Sequence, residues 1–154
     1  MKVVPGVMSL TLGVAAVAAP HKQPPQQIVI DLTLTPRAAA RLADLNEGIT
    51  ISAMYGGEAT RAHARQADDL GEIALGMDRK TVTGKAQRVV VPIRDIRRDR
   101  FSWVVSGRPK LLINVFTARQ RLRNNLISCD IFEGPLAVGI AKPIAINCDL
   151  IGGR

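Results

Sequence analysis

Lys110-Leu111-Leu112-Ile113-Asn114-Val115-Phe116-Thr117 reads as a β-strand, and its two faces decide what surrounds it. Side chains alternate across a pleated strand, so Leu111, Ile113 and Val115 point one way while Leu112, Asn114 and Phe116 point the other. Both sets are largely apolar, which predicts a central strand covered on both sides. Gly107-Arg108-Pro109 punctuates its start.

Working outward, Ile28 to Leu34 places Ile28, Ile30, Leu32 and Leu34 on one face and Val29, Asp31 and Thr33 on the other, the half-buried pattern. Thr35-Pro36 then starts a helix, with a capping hydroxyl and a ring suited to the first helical position. That helix runs to Leu45, turns Leu42 and Leu45 to the core, and stops at Asn46-Glu47-Gly48. Ile49 to Tyr55 resumes the strand pattern, and Gly56-Gly57 is expected to end it. Glu58 to Gly71 is polar and aperiodic, predicting a long mobile loop or an irregular helical turn. Glu72 to Gly76, Thr81 to Thr83, Arg88 to Arg94, Phe101 to Val105, Leu126 to Phe132 and Pro143 to Ile151 are further strand candidates, with Gly76 and Gly84 as turns.

About seven or eight short strands with one inserted helix predict an all-β fold, an antiparallel β-sandwich, with a partly open β-barrel as the rival. A doubly wound α/β sheet would need longer helices between strands. The chain has 154 residues, 47% hydrophobic and 22% charged, which suits one core and disfavours disorder.

Residues 1–18 read as a cleavable signal peptide. Met1 and Lys2 give a positive start, Val7 to Ala19 is apolar, and Ala16-Val17-Ala18 supplies the small residues a signal peptidase needs. Pro5 and Gly6 interrupt the run of about 20 apolar residues that a membrane anchor requires. Residues 19–27 form a polar, proline-rich linker, 28–151 the sandwich domain and 152–154 a tail. The mature form is expected in the periplasm or secreted, with no transmembrane span. Cys129 and Cys148 fit that compartment: an even pair in an exported chain favours a disulfide over two buried thiols, and neither has a neighbour at zinc-ligand spacing. Ile127-Ser128-Cys129-Asp130-Ile131 resembles Ile146-Asn147-Cys148-Asp149-Leu150, with each Cys on an apolar face and each Asp on the wet one. The pattern leaves open whether the bridge joins neighbouring strands or the two sheets.

Charge is the one functional signal. The formal net charge is +8, and it falls to about +7 once Lys2 leaves with the signal. Arginines concentrate in Arg94-Asp95-Ile96-Arg97-Arg98-Asp99-Arg100 and in Arg119-Gln120-Arg121-Leu122-Arg123, both in predicted connections that could gather at one end of a sandwich. The planar guanidinium fork suits carboxylates and phosphates. Arg97, Arg98, Arg100, Arg119, Arg121 and Arg123 are therefore the candidate binding residues for an acidic protein surface or an anionic envelope component. The competing account is a solvated rim that keeps the protein soluble. Nucleic acid is disfavoured because few aromatic residues are available as stacking platforms. Trp103 is the strongest platform for a sugar.

Catalytic motifs are missing: there is no Gly-x-Ser-x-Gly turn and no phosphate-cradling loop, and no cofactor is called for. His63 with Asp68, Asp69 and Glu72 is the best constellation for a metal or hydrolytic site, at a spacing that matches no ligand motif. Asp130 and Asp149 would make a carboxylate pair if their strands adjoin. The expected function is an exported, non-enzymatic interaction module, of inhibitor, immunity or assembly-accessory type, that binds an envelope or secreted protein through its Arg-rich loops. The alternative is a small periplasmic hydrolase using His63 and nearby acids.

Overall fold

Two four-stranded sheets, ordered β4-β1-β8-β6 and β3-β2-β5-β7, face each other across a single aliphatic core. The computed structural model describes residues 26–152. The expected signal peptide, most of the linker and the last two residues lie outside this range. In chain order the elements are β1 (Gln27–Leu34), α1 (Pro36–Leu45), β2 (Gly48–Glu58), a 3-10 segment (Arg61–Gln66), β3 (Glu72–Thr83), β4 (Gln87–Pro92), 3-10 segments at Arg98–Trp103 and Val105–Gly107, β5 (Lys110–Thr117), β6 (Ile127–Cys129), β7 (Phe132–Pro135), α2 (Leu136–Ala141) and β8 (Ile144–Leu150).

The sandwich expectation holds, and the core is the set of inward positions that alternation predicts. Ile28, Ile30, Ile49, Ile51, Ile113 and Ile146 are each at most 1% exposed. Excluding one such side chain from water contributes roughly 2 kcal/mol relative to leaving it wet. Of the six strand pairs among the described residues, five are antiparallel and one is not: β1 and β8 run parallel, Ile30 opposite Ile144 through Leu34 opposite Cys148. The chain crosses between the sheets repeatedly, with β1, β4, β6 and β8 in the first and β2, β3, β5 and β7 in the second, and β8 enters last, between β1 and β6. Thr35 caps α1 as read, its Oγ1 accepting from Ala38 N at 3.3 Å, and Leu42 is buried. Leu45 is only half-buried.

Several local expectations are corrected. Gly56-Gly57 does not end β2, which continues to Glu58. Gly57 lies under Val104, where a Cβ would come within 3.2 Å of the valine side chain. Glu72 to Gly76 and Thr81 to Thr83 are one strand, with a register shift opposite Tyr55 and Gly56 where a turn was expected. Phe101 to Val105 is not a strand. Its backbone closes 3-10 turns, with Val104 N donating to Phe101 O, because only Val104 of this stretch is buried against the sheet. Leu126 to Phe132 divides between β6 in the first sheet and β7 in the second, the chain changing sheets at Asp130-Ile131. α2 was not anticipated at all. β5 is paired on both edges at Lys110 to Ile113 but covered on one face, with Asn114 exposed and Leu112 and Phe116 half-buried. The linker expectation also ends too late, since Gln27 already pairs with Pro92 and Gln26 O accepts from Ile93 N.

The bridge Cys129–Cys148 is formed, and it joins neighbouring strands: the two residues face each other in the antiparallel β6–β8 pair with Cα atoms 4.0 Å apart. Asp130 N donates to Asn147 O and Ile151 N to Leu126 O, so the cysteines occupy the close, non-hydrogen-bonded position between ladder bonds. Closing a loop of this length stabilises the fold by roughly 3 kcal/mol in the chain-entropy model.

Candidate functional site

Each arginine run leaves its strand and is immediately fastened, by its backbone, to a buried carboxylate. For the run after β5 the anchor is Glu47, at the end of the α1–β2 connection and 2% exposed. Its Oε1 accepts from Gly48 N (3.0 Å) and Gln120 N (3.1 Å), and its Oε2 from Arg121 N (2.8 Å). Burial pushes this carboxyl up, but the backbone N–H groups of Arg121, Gln120, Gly48 and Leu122 outweigh it and hold the group below the usual carboxylate range. The negative charge of Glu47 is thus met by peptide dipoles, and the arginine side chains above it stay available.

The run after β4 is held by Asp78. The register shift in β3 reverses the alternation, so that Asp78 rather than Met77 turns inward, opposite Ala53. Asp78 Oδ2 accepts from Tyr55 Oη (2.8 Å) and from Arg94 N (3.0 Å), and Oδ1 accepts from Asp95 N (3.3 Å). Burial and the adjacent carboxylate push the Tyr55 hydroxyl far above its ordinary value, so it acts as a fixed donor. Arg97 N then donates to Leu75 O, and Gly76 bridges Ile96.

The structure does not bring the two runs together. Ala118 N donates to the carbonyl of Gly48, at the first residue of β2, whereas Arg97 docks beside Gly76, the partner of Tyr55. Seven strand residues at about 3.3 Å each put them roughly 20 Å apart, at opposite ends of the second sheet. Their surroundings also differ. Arg98 Nη2 donates to Gln26 Oε1 (2.8 Å), and Arg100 lies 4.6 Å from the Trp103 ring centroid. Asp95 and Asp99 sit in the same run. Arg119, Arg121 and Arg123 are exposed, and the buried Glu47 is already committed. Among the described residues, ion pairs join Arg88 to Asp31 and Lys110 to Glu72, and neither involves these runs.

Arg119 carries one further mark. Its φ is +58°, a left-handed conformation that costs a side-chain-bearing residue about 1 kcal/mol. The bonds on either side, Ala118 N to Gly48 O and Gln120 N to Glu47 Oε1, enforce it. The guanidinium is thereby laid 5.7 Å from the Phe116 ring centroid. Strain held by its surroundings is a pointer to function.

The hydrolytic constellation is not assembled. His63 stacks on Trp103 (4.8 Å between centroids, 11° between planes), and its Nδ1 sits 2.9 Å from Thr60 Oγ1. Asp68 Oδ1 accepts from Leu70 N and Glu72 N, closing its own loop, and Glu72 pairs with Lys110 at 3.2 Å. No group of three or more His, Cys, Asp or Glu among the described residues is placed to hold a metal ion. Trp103 is half-buried and already engages both His63 and Arg100 through its ring. Asp130 and Asp149 lie on the wet face as read, each in structural bonds. Asp130 Oδ2 accepts from Asn147 Nδ2 (2.7 Å), and Asp149 Oδ1 accepts from Thr35 Oγ1 (2.7 Å), which together with Leu150 N lowers the Asp149 carboxyl.

Sequence reasoning missed Glu47 and Asp78, the residues on which the loops depend. Glu47 reads as part of a helix stop and Asp78 as a residue between two strand candidates. Their hydrogen-bond partners lie up to 74 and 23 positions away, at Arg121 and Tyr55, and no local pattern announces them. No protein-family model, curated protein or solved structure matches the chain.

Proposed function

We propose that the chain is an exported, non-enzymatic interaction module that docks an acidic surface of an envelope or secreted protein, as an inhibitor, immunity factor or assembly accessory would. The Arg119–Arg123 loop is the primary contact. Arg97, Arg98 and Arg100, at the far end of the sheet, form a secondary one, weakened by their own acids and internal partners. The observation that carries this reading is the buried Glu47. It spends its charge on backbone N–H groups, so that the loop is held firm while Arg119, Arg121 and Arg123 face solvent with no carboxylate partner among the described residues. The disulfide fits an oxidising compartment, and no helix among the described residues is long and apolar enough to cross a membrane. The alternative hydrolase draws no support from the geometry around His63.

Reversing Arg121 and Arg123 to Glu is expected to weaken capture of the partner from envelope extract at least about tenfold at low salt and to flatten its salt dependence, with the fold unchanged. His63→Ala should leave capture intact. Undiminished capture by the charge-reversed protein, or no partner recovered at either ionic strength, overturns the proposal. Sequencing the amino terminus of the native protein tests export: a start near Ala19 is expected.

A further inference from the structure

The solvent face of the second sheet carries a recess that the docking loop only half encloses. Outward positions fall in register as Thr81, Thr50 and Phe116 in one row and Arg79, Ser52 and Asn114 in the next. The short middle-strand residues Thr50 and Ser52 are 8% and 3% exposed although they sit on the outer face. Longer side chains on the flanking strands therefore rise above them. A cavity of about 330 Å³ results, lined by Arg79, Asn114, Phe116, Arg119 and Asn125.

These residues do different things. Asn125 is wall: its Oδ1 accepts from Thr117 N and Ile127 N, and its Nδ2 donates to Ile127 O (2.7 Å). The Asn114 amide is exposed and makes no hydrogen bond within the described residues. Phe116 is the surface against which Arg119 is laid, and ring and left-handed backbone together pre-orient the guanidinium. Arg79 supplies a second guanidinium, outside both arginine runs. Among the described residues, no carboxylate lines the recess. Two planar cationic forks and a free amide, converging over an aromatic wall, match the geometry of a carboxylate on a short aliphatic stem.

We propose, resting on the docking role above, that Arg79, Asn114 and Arg119 form a carboxylate subsite that takes one glutamate or aspartate side chain of the partner's acidic segment. A blocked glutamate tetrapeptide, titrated into nitrogen-15-labelled protein, should shift the Asn114 side-chain amide and the Arg79 and Arg119 Nε–H signals along one saturable curve. Arg79→Gln should weaken that binding roughly tenfold. Arg79→Lys, which keeps the charge and loses the fork, should fall between, and a change at the exposed Arg65, Arg65→Gln, should alter nothing. Arg79 is exposed, so these variants are expected to fold, and circular dichroism checks it. Unaltered affinity in Arg79→Gln overturns the subsite. So do shifts confined to Arg121 and Arg123, an outcome that leaves the docking loop standing. Preference for phosphatidylglycerol vesicles over the peptide also overturns it. A functioning recess with undiminished partner capture by the Arg121→Glu, Arg123→Glu protein would instead sink the docking reading alone.

Discussion

Gly76→Ala is expected to destabilise the protein by about 4 kcal/mol, enough to leave a domain of ordinary stability largely unfolded. Gly76 has φ +132°, and a Cβ built there would stand 1.7 Å from the carbonyl oxygen of Asp95. That oxygen belongs to backbone, so no side chain can swing aside. The carbonyl is placed by the bridge from Gly76 to Ile96, by Arg97 N on Leu75 O, and by Asp95 N on Asp78. Relieving the clash therefore means detaching the whole first arginine run from β3. Gly71→Ala is the internal contrast: its φ is +79°, but nothing among the described residues lies within 4 Å of an added Cβ, so only the conformational cost of about 1 kcal/mol is expected. Urea unfolding of the three proteins measures the difference. Similar losses in both variants would mean that Asp95 does not approach β3 as closely as described.

Glu47→Ala should cost about 3 kcal/mol and also reduce docking. It strands at least three buried or half-buried backbone N–H groups, those of Gly48, Gln120 and Arg121, that have the carboxylate as partner. It also frees the loop that presents Arg119, Arg121 and Arg123. Glu47→Gln keeps one acceptor oxygen and should lose less. The ionised carboxylate is the form the fold favours, so its contribution is fully present above the ordinary glutamate value of 4.5 and is lost as pH falls through the lower value of the folded protein. Wild type should therefore lose stability steadily below about pH 4.5. Glu47→Gln should show a shallower acid slope, read as the urea midpoint against pH. Asp31 and Asp149 are lowered too, by Arg88 and by the Thr35 hydroxyl, but they lie in water and add little to that slope. Equal slopes in the two proteins would remove Glu47 from its place as anchor.

These two residues also mark where reading the sequence stops working. Thr35-Pro36, the alternation of Ile28 to Leu34 and the apolar rhythm of Lys110 to Thr117 are local signals, and the elements they predict are present within a residue or so. Gly76 and Gly56-Gly57 are local signals as well, yet they mislead. Glycine permits a turn, but here it permits another segment to come close, and the chain between residues does not reveal which. Phe101 to Val105 has the composition of a strand, but its pairing is limited to a single bridge between Val104 and Ala59. The second guanidinium of the recess, Arg79, lies outside both conspicuous arginine runs. Only the pairing of β3 with β2, and of β2 with β5, sets it across from Asn114.

Period-two hydrophobicity, turn residues and the capping signal at Thr35-Pro36 sufficed to determine an all-strand sandwich with one capped helix, because each depends on neighbours within a few positions. The tertiary structure alone decided that β8 lies parallel to β1, that the bridge ties adjacent strands, that the arginine runs sit at opposite ends, and that Glu47 and Asp78 hold them there. All of these are contacts between residues far apart in the chain. Glu47 and Asp78 act by satisfying buried polar groups of distant segments, and such satisfaction leaves no periodic trace in the order of amino acids.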